Sequence, residues 1–573
     1  MQILNIHIQN YRNLDGRNLK FYPGTNFIIG ENNVGKSNFL DLLNILFNKN
    51  SFEEDDFCDT SNFIEILLTF KLSEIEQGIF KDLFDPSNNN LINIVAIQES
   101  VDDTIKFKHK ESETPIQSNV VKCVNYINYD SSRNPLSDLN FTKNRGVSRI
   151  LNHIIIKTLE ENEDISFLEK EKINELLVPI NQTIQRIKSF KDFSIQAIHE
   201  NNPKDLLAKL ILLVDDKEQS LSRLGYGVQF FSLITLSILE KILNIVQKKV
   251  NKSLVQDIST SEKCIPILIG LDEPEIHLNP YIQRALVRYL EKIIKNEDND
   301  FKFLLKNLFS IDKLIGQILI VSHSPSILLN NYKQIVRFYK DENGNVGVKS
   351  GYEISLDSSI EKQLLKNLPY VKEAFFCRVV ILVEGDTELS ALNVFSERMK
   401  VNLDELGISI IQAGGADSIP GLMSLLNEFS IQNIGVMDRD KQERYNGKEN
   451  LFFTQGIDFE EDIYDCLDII TYVEYIENEL PNESENIRGK LIGTAKSLNI
   501  TLEPREPIIF QLNNLIQEDI QKLHSKLKID ITKKWRKDKS VLTGQYLASS
   551  VNFIPQVYQN IINKSVEFSR NAK

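Results

Sequence analysis

Cysteine is scarce in this sequence, and an excess of positive charge and long apolar runs are lacking; each absence excludes something. Five cysteines (Cys58, Cys123, Cys264, Cys377, Cys466) are scattered over 573 residues without CxxC spacing, which disfavours both a zinc site and a disulfide framework. That usage suits a reducing, cytoplasmic compartment. The longest apolar run, Phe230 to Leu239, is interrupted by Ser and Thr and closed by Glu240-Lys241, well short of the ~20 residues a bilayer span requires. No membrane association is expected, and no basic patch precedes an apolar stretch at the start to suggest a secretory signal. Lys and Arg number 66 against 80 Asp and Glu, a net charge of −14. That charge repels a polyanion at long range, so contact with nucleic acid requires a local basic surface or bound metal ions. The stretch from Lys522 to Lys539 holds Lys526, Lys528, Lys533, Lys534, Arg536 and Lys537 around Trp535. A charge run alone is first a solvated helix face.

What is present is a long globular sequence, 42% apolar and 25% charged, too long for one core and divisible into three or four units. A strand, Ile3 to Ile8, and a second, Asn26 to Ile29, lead into Gly30-Glu31-Asn32-Asn33-Val34-Gly35-Lys36-Ser37 and a helix from Ser37 to Phe47. Strand, Gly-rich loop and helix in that order are the context of a P-loop. The glycines let backbone N–H groups cradle phosphate oxygens at a helix N-terminus. Lys36 would neutralise the β/γ-phosphates and Ser37 would ligate Mg²⁺. Residues 62–129 alternate apolar and polar in short runs, as an antiparallel meander does. From about 146 to 215 the pattern turns helical and charged.

Far downstream, the apolar strand Ile265 to Leu271 delivers Asp272 and Glu273. Beside a P-loop this reads as a Walker B element, with Asp272 in the Mg²⁺ shell and Glu273 polarising the attacking water. Without the P-loop it would be an acidic cap after a buried strand. His323 ends the next strand, Gln317 to Val321, within reach of a γ-phosphate, although a lone histidine is more often structural.

Past residue 376 a second acidic pattern appears. The strand Arg378 to Val383 ends in Glu384, Glu388 follows on a helix, a strand through Val436 ends in Asp438-Arg439-Asp440, and Asp458-Phe459-Glu460-Glu461-Asp462 comes next. In an open αβ sheet adjacent strands deliver their C-terminal residues to one edge, so Glu384, Asp438 and Asp440 can converge. Hard oxygens gathered there suit Mg²⁺ or Mn²⁺, which can activate water and stabilise the leaving oxygen of a phosphodiester.

Tyr11-Arg12-Asn13, the P-loop, Leu224 to Gln229, the Walker B strand with Ile276-His277-Leu278-Asn279-Pro280, and His323 resemble the ABC-type ATPase heads of the DNA-repair and SMC group. The Ser-Gly-Gly-Gln signature of that group is not matched at Gly225-Tyr226, and Gln98 sits in the meander. The later acids resemble a TOPRIM domain, and the two together resemble the OLD (overcoming lysogenization defect) nuclease family over almost the whole chain. The resemblance implies an α/β chain: an ABC-type head (1–145 and 216–360), an inserted helical dimerisation element (146–215), and a TOPRIM nuclease domain with a C-terminal helical region (361–573). It implies ATP on Arg12, Asn33, Gly35, Lys36, Ser37, Asp272 and His323. Metal would sit on Glu384, Glu388, Asp438, Asp440, Glu460 and Asp462, with a catalytic lysine at Lys539 or Lys537. It implies DNA as substrate, a homodimer or higher oligomer, and antiphage defence with a helicase-like partner or retron RNA/DNA. Competing readings are a topoisomerase- or primase-like enzyme, the latter disfavoured by the cysteine spacing, and an ATP-switched clamp or scaffold.

Overall fold

A computed structural model describes the chain except for residues 81–82, 84, 86, 89, 130–148, 152, 155–156, 158–169, 188–194, 200–210, 216, 218, 220–225, 248–254, 257–259, 277, 342, 357–360, 362–370, 480, 538 and 572–573. It divides into two compact units, residues 1–339 with 345–354, and residues 340–344 with 355–573.

The first unit holds two large sheets. One runs β2-β1-β4-β5-β6-β7, built from β1 (Gln2–Gln9), β2 (Arg17–Lys20), β4 (Ile64–Lys71), β5 (Leu91–Gln98), β6 (Lys106–His109) and β7 (Pro115–Ile116). All its pairings are antiparallel, so the expected meander is present. In β4 the residues Ile64, Ile66, Leu68 and Phe70 are buried while the intervening ones are not fully so, the period of two that a one-sided sheet imposes. The other sheet runs β11-β12-β13-β3-β14-β15, with β8 also on β12: β3 (Thr25–Gly30), β8 (Tyr126–Tyr129), β11 (Val255–Gln256), β12 (Lys263–Asp272), β13 (Lys313–Val321), β14 (Ile335–Lys340) and β15 (Val346–Ser350). Its centre, β12-β13-β3-β14, is parallel. Being covered on both faces, its strands read as continuous apolar runs; every residue of β3 is buried. The helix Lys36–Asn48 follows β3 and buries Phe39, Leu40, Leu42, Leu43, Ile45, Leu46 and Phe47, in one core with Ile3, Ile6, Leu68 and Phe70 of the antiparallel sheet.

The stretch 146–215, expected to be helical and charged, holds strand as well as helix among its described residues. A helix runs Lys170–Ile184, but β9 (Ile195–His199) and β10 (Ile211–Asp215) then form an antiparallel pair. Ile195 and Ala197 are buried, a two-residue alternation that the surrounding Glu and Lys density masks in the sequence. Much of the remaining stretch lies outside the described residues, as do Leu224-Gly225 of the signature loop and most of the link near 358–376.

The second unit is built on a four-stranded parallel sheet, β17-β16-β18-β19: β16 (Val379–Val383), β17 (Ile408–Gln412), β18 (Gln432–Met437) and β19 (Leu451–Phe453). Parallel pairing sets the C-terminal ends of β16 and β18 at one edge. Helices 386–398, 459–465, 517–535, 541–550 and 556–571 share a core with that sheet that includes Ile381, Phe395, Tyr464, Trp535, Leu547 and Tyr558. Among the described residues no helix is long and apolar enough to cross a membrane.

Candidate functional site

In the first unit the P-loop is shaped by positive φ angles at Gly30 (+142°), Asn33 (+60°) and Gly35 (+93°). A side chain at 30 would come within 2.1 Å of the Phe338 carbonyl oxygen, and one at 35 within 2.6 Å of the Asn13 side chain, so both positions require glycine. Lys36 is buried and its Nζ donates to the Gly30 carbonyl at 2.9 Å and to that of Glu31. Burial lowers its pKa to about 8, against the pull of Glu273 and Asp272. The ammonium thus rests on the loop's own carbonyls.

Ser37 and Asp272, 235 positions apart, meet at 3.3 Å between Oγ and Oδ1. A hydroxyl and a carboxylate side by side at strand and helix ends can share one Mg²⁺. Glu273 adopts φ +46°, an uncommon conformation for a residue other than glycine that clusters at functional positions. Its Oε1 stands 3.3 Å from His323 Nε2. Burial, then the charge of Lys36, lowers the His323 pKa, favouring the neutral imidazole. Glu275, which sequence reading passed over, accepts from Ser322 Oγ at 2.7 Å and from the His323 backbone N–H at 2.6 Å, tying the ends of β12 and β13 together. Arg12, expected beside the nucleotide, has its guanidinium held by Asp56, Asp41 and Asn38. Its neighbour Asn13 receives a hydrogen bond from Asn38 at 2.8 Å and abuts Gly35 of the loop.

In the second unit Glu384 follows β16 and its Oε1 accepts from the Asp438 backbone N–H at 3.0 Å. Asp438 Oδ1 in turn accepts from the Phe459 N–H at 3.3 Å. Burial, then Glu384 and Glu388, raises the Asp438 pKa to about 8. Glu388 is 5% exposed and Glu460 1% exposed, and burial first of all pushes both carboxyls upward. Lys539 Nζ lies 3.4 Å from Glu460 Oε1. Burial opposes its charge, but Glu460, Glu388 and Asp438 outweigh that and raise its pKa. The structure therefore brings Glu384, Glu388, Asp438, Glu460 and Lys539 together. Asp440 is turned to Lys441 at 2.7 Å and is half exposed; Asp462 accepts from the backbone of Gln455 and Gly456. Lys537 is exposed.

Buried Glu388 Oε2 and Glu460 Oε2 have no hydrogen-bond partner. Unpartnered buried carboxylate oxygens fit a cation, although among the described residues no three acidic, His or Cys groups are already gathered as a metal cage. The model for an AAA ATPase domain matches residues 1–144 and 98–328, and that for the overcoming lysogenization defect protein-like TOPRIM domain matches residues 375–440. The chain belongs to the AAA ATPase domain family. Its first 328 residues carry that match, and the match to the OLD-like TOPRIM domain takes in Glu384, Glu388, Asp438 and Asp440.

This chain is similar to the endonuclease GajA of Bacillus cereus strain HuB5-5, 22% identical over 532 residues covering 74% of this chain and 73% of the relative. GajA of strain VD045 is 24% identical over 539 residues, 86% and 82% of the two chains. The Old nuclease of Escherichia phage P2 is 22% identical over 505 residues, 77% of each.

Sequence reading placed Asp458 in an acidic cluster and Arg536 in a basic run but missed that the two pair. Asp458 caps helix 459–465, accepting from the Glu461 N–H at 3.1 Å, and Arg536 grips Asp458 and Glu461, the latter at 2.9 Å. A cap residue before Phe459 was a readable signal; its partner 78 positions on was not. Trp535, by contrast, is core: its Nε1 donates to Tyr472 Oη at 3.2 Å.

Proposed function

We propose that this chain is a metal-dependent DNA endonuclease governed by ATP binding and hydrolysis in its head. The observation that carries the reading is the set of buried, partly unpartnered carboxylates around Lys539 at the C-terminal edge of a parallel sheet, in a chain whose relatives are named endonuclease and nuclease. Glu384, Glu388, Asp438 and Glu460 would hold Mg²⁺ or Mn²⁺, with Asp440 and Asp462 reaching the site by side-chain rotation. Bound there, the metal supplies charge neutralisation for a phosphodiester and a water acidic enough to attack it. The chain's own part is to orient and to exclude water. Glu384 fixes the Asp438 backbone, helix 459–465 presents Glu460, and Lys539 meets the non-bridging phosphate oxygens as charge develops on them.

In the head, the P-loop amides and Lys36 hold the ATP phosphates, Ser37 and Asp272 hold Mg²⁺, Glu273 orients the attacking water, and His323 faces the γ-phosphate. Arg12 and Asn33 border the nucleotide. We assign residues 1–145 and 216–360 to the head, 146–215 to a dimerisation element, and 361–573 to the nuclease. A homodimer or larger assembly would complete the nucleotide site. A cytoplasmic antiphage role follows from the family resemblance, with a helicase-like protein or a retron RNA/DNA as partner.

The test is cleavage of supercoiled and linear DNA with Mg²⁺ or Mn²⁺, with and without ATP. Nicking or linearisation that requires the metal and changes with ATP is expected. Intact DNA under every combination would remove the reading.

A further inference from the structure

Three residues after Arg536, Lys539 occupies an unusual electrostatic position. Glu388 and Glu460 are almost fully enclosed, Oε2 of Glu388 and both carboxylate oxygens of Glu460 lack a hydrogen-bond partner, and Asp438 lies in the same field. Carboxylates taken out of water need a compensating charge. Among the described residues Lys539 is the cation that all three of these acids feel. Its hold is nevertheless loose: the ammonium is 3.4 Å from its nearest carboxylate oxygen, and 45% of its side chain is exposed. Arg536 contrasts with it, being pinned by two hydrogen bonds to Asp458 and one to Glu461. One short segment therefore carries a tightly bonded anchor for the outer acids of helix 459–465 and a partly exposed cation, held at longer range, for the inner one. A lysine is a compact charge on a flexible stem that leaves such a position easily.

We propose that Lys539 is the built-in counter-ion of the buried acids and that a divalent cation displaces it, releasing its ammonium toward the phosphodiester. The inference rests on the nuclease reading and adds an order of events: the lysine becomes available to substrate only once metal has taken its place. Without metal, the ammonium keeps like-charged acids together; with metal, the same acids have a stronger partner. Metal and lysine thus compete, which makes the effect of removing the lysine opposite to that expected of a residue that supports the site.

The full chain carrying Asp272→Asn in every arm, so that the head contributes little, is titrated with Mn²⁺ alone, free ion being read by electron paramagnetic resonance. Lys539→Gln should bind Mn²⁺ more tightly than the parent, on the order of threefold to tenfold for one removed competing charge, whereas Glu460→Gln should bind it more weakly. As a second readout on the parent, Mn²⁺ should accelerate acetylation of Lys539 by an amine-directed reagent, followed by peptide mass spectrometry. Equal or weaker binding by Lys539→Gln, or Lys539 reactivity unchanged by Mn²⁺, overturns the proposal while leaving the nuclease reading intact. No saturable Mn²⁺ binding by the parent overturns both.

Discussion

At the scale of single residues, the two units use buried charge in opposite ways. Lys36 is a buried cation resting on backbone carbonyls with its pKa brought down to about 8; Glu388 and Glu460 are buried acids whose pKa values are pushed up by burial before any other cause. Each is costly to the isolated fold, and such cost persists where a ligand of opposite charge is to be met. Replacing Lys36 by Ala should therefore abolish ATP binding, read with a fluorescent nucleotide, without lowering the unfolding temperature of the chain; retained affinity would contradict the assigned role. Arg536→Ala should behave differently. It removes the grip on Asp458 and Glu461 and should cost about 1 kcal/mol, read by denaturant unfolding. Arg536→Lys should restore part of the stability but less than the bidentate geometry gives.

At the scale of elements, what the sequence reveals depends on how far apart the interacting parts lie. The P-loop strand, turn and helix are contiguous, and the Walker B and β16 strands announce themselves as apolar runs ending in acids, so their positions are legible. The hairpin of β9 and β10 is not, because its alternation is brief and surrounded by charge. Nor could sequence alone say that Asp440 pairs with its neighbour Lys441 while Glu460 faces inward, since side-chain direction at a strand end is settled by packing. Helix 541–550 provides a further case. Gly544 reads as an ordinary helix-weakening residue, yet a methyl there would come within 2.1 Å of Ser390 Oγ and 2.2 Å of the Thr387 carbonyl oxygen. The glycine lets this helix press on helix 386–398, which carries Glu388. Gly544→Ala should cost about 1–3 kcal/mol through overpacking and impair cleavage by moving Glu388. Gly489 is exposed within helix 481–497, where an added methyl would meet nothing within 4 Å, and it should do the reverse. Gly489→Ala should gain up to about 1 kcal/mol from helix propensity. Denaturant titrations of the two variants compare the effects directly.

At the scale of the whole molecule, an AAA ATPase head and an OLD-type TOPRIM domain occupy one chain with a net charge of −14. Long-range attraction does not bring such a chain to DNA. On the proposed reading, engagement would be made locally, by metal on the acids and by the cations near them, and binding should accordingly weaken only modestly with salt compared with a protein that relies on a broad basic face. If the head governs the second unit as proposed, nucleotide should change the rate of cleavage without being needed for the metal-binding step. The central claim is that Glu384 and Asp438 carry the chemistry. Supercoiled plasmid incubated with Mn²⁺ and either the unaltered chain, Glu384→Ala or Asp438→Ala tests it most directly, with ATP binding measured on the same preparations. The account predicts nicked and linear product from the unaltered chain alone, and equal ATP affinity in all three. Undiminished nicking by either variant would contradict it.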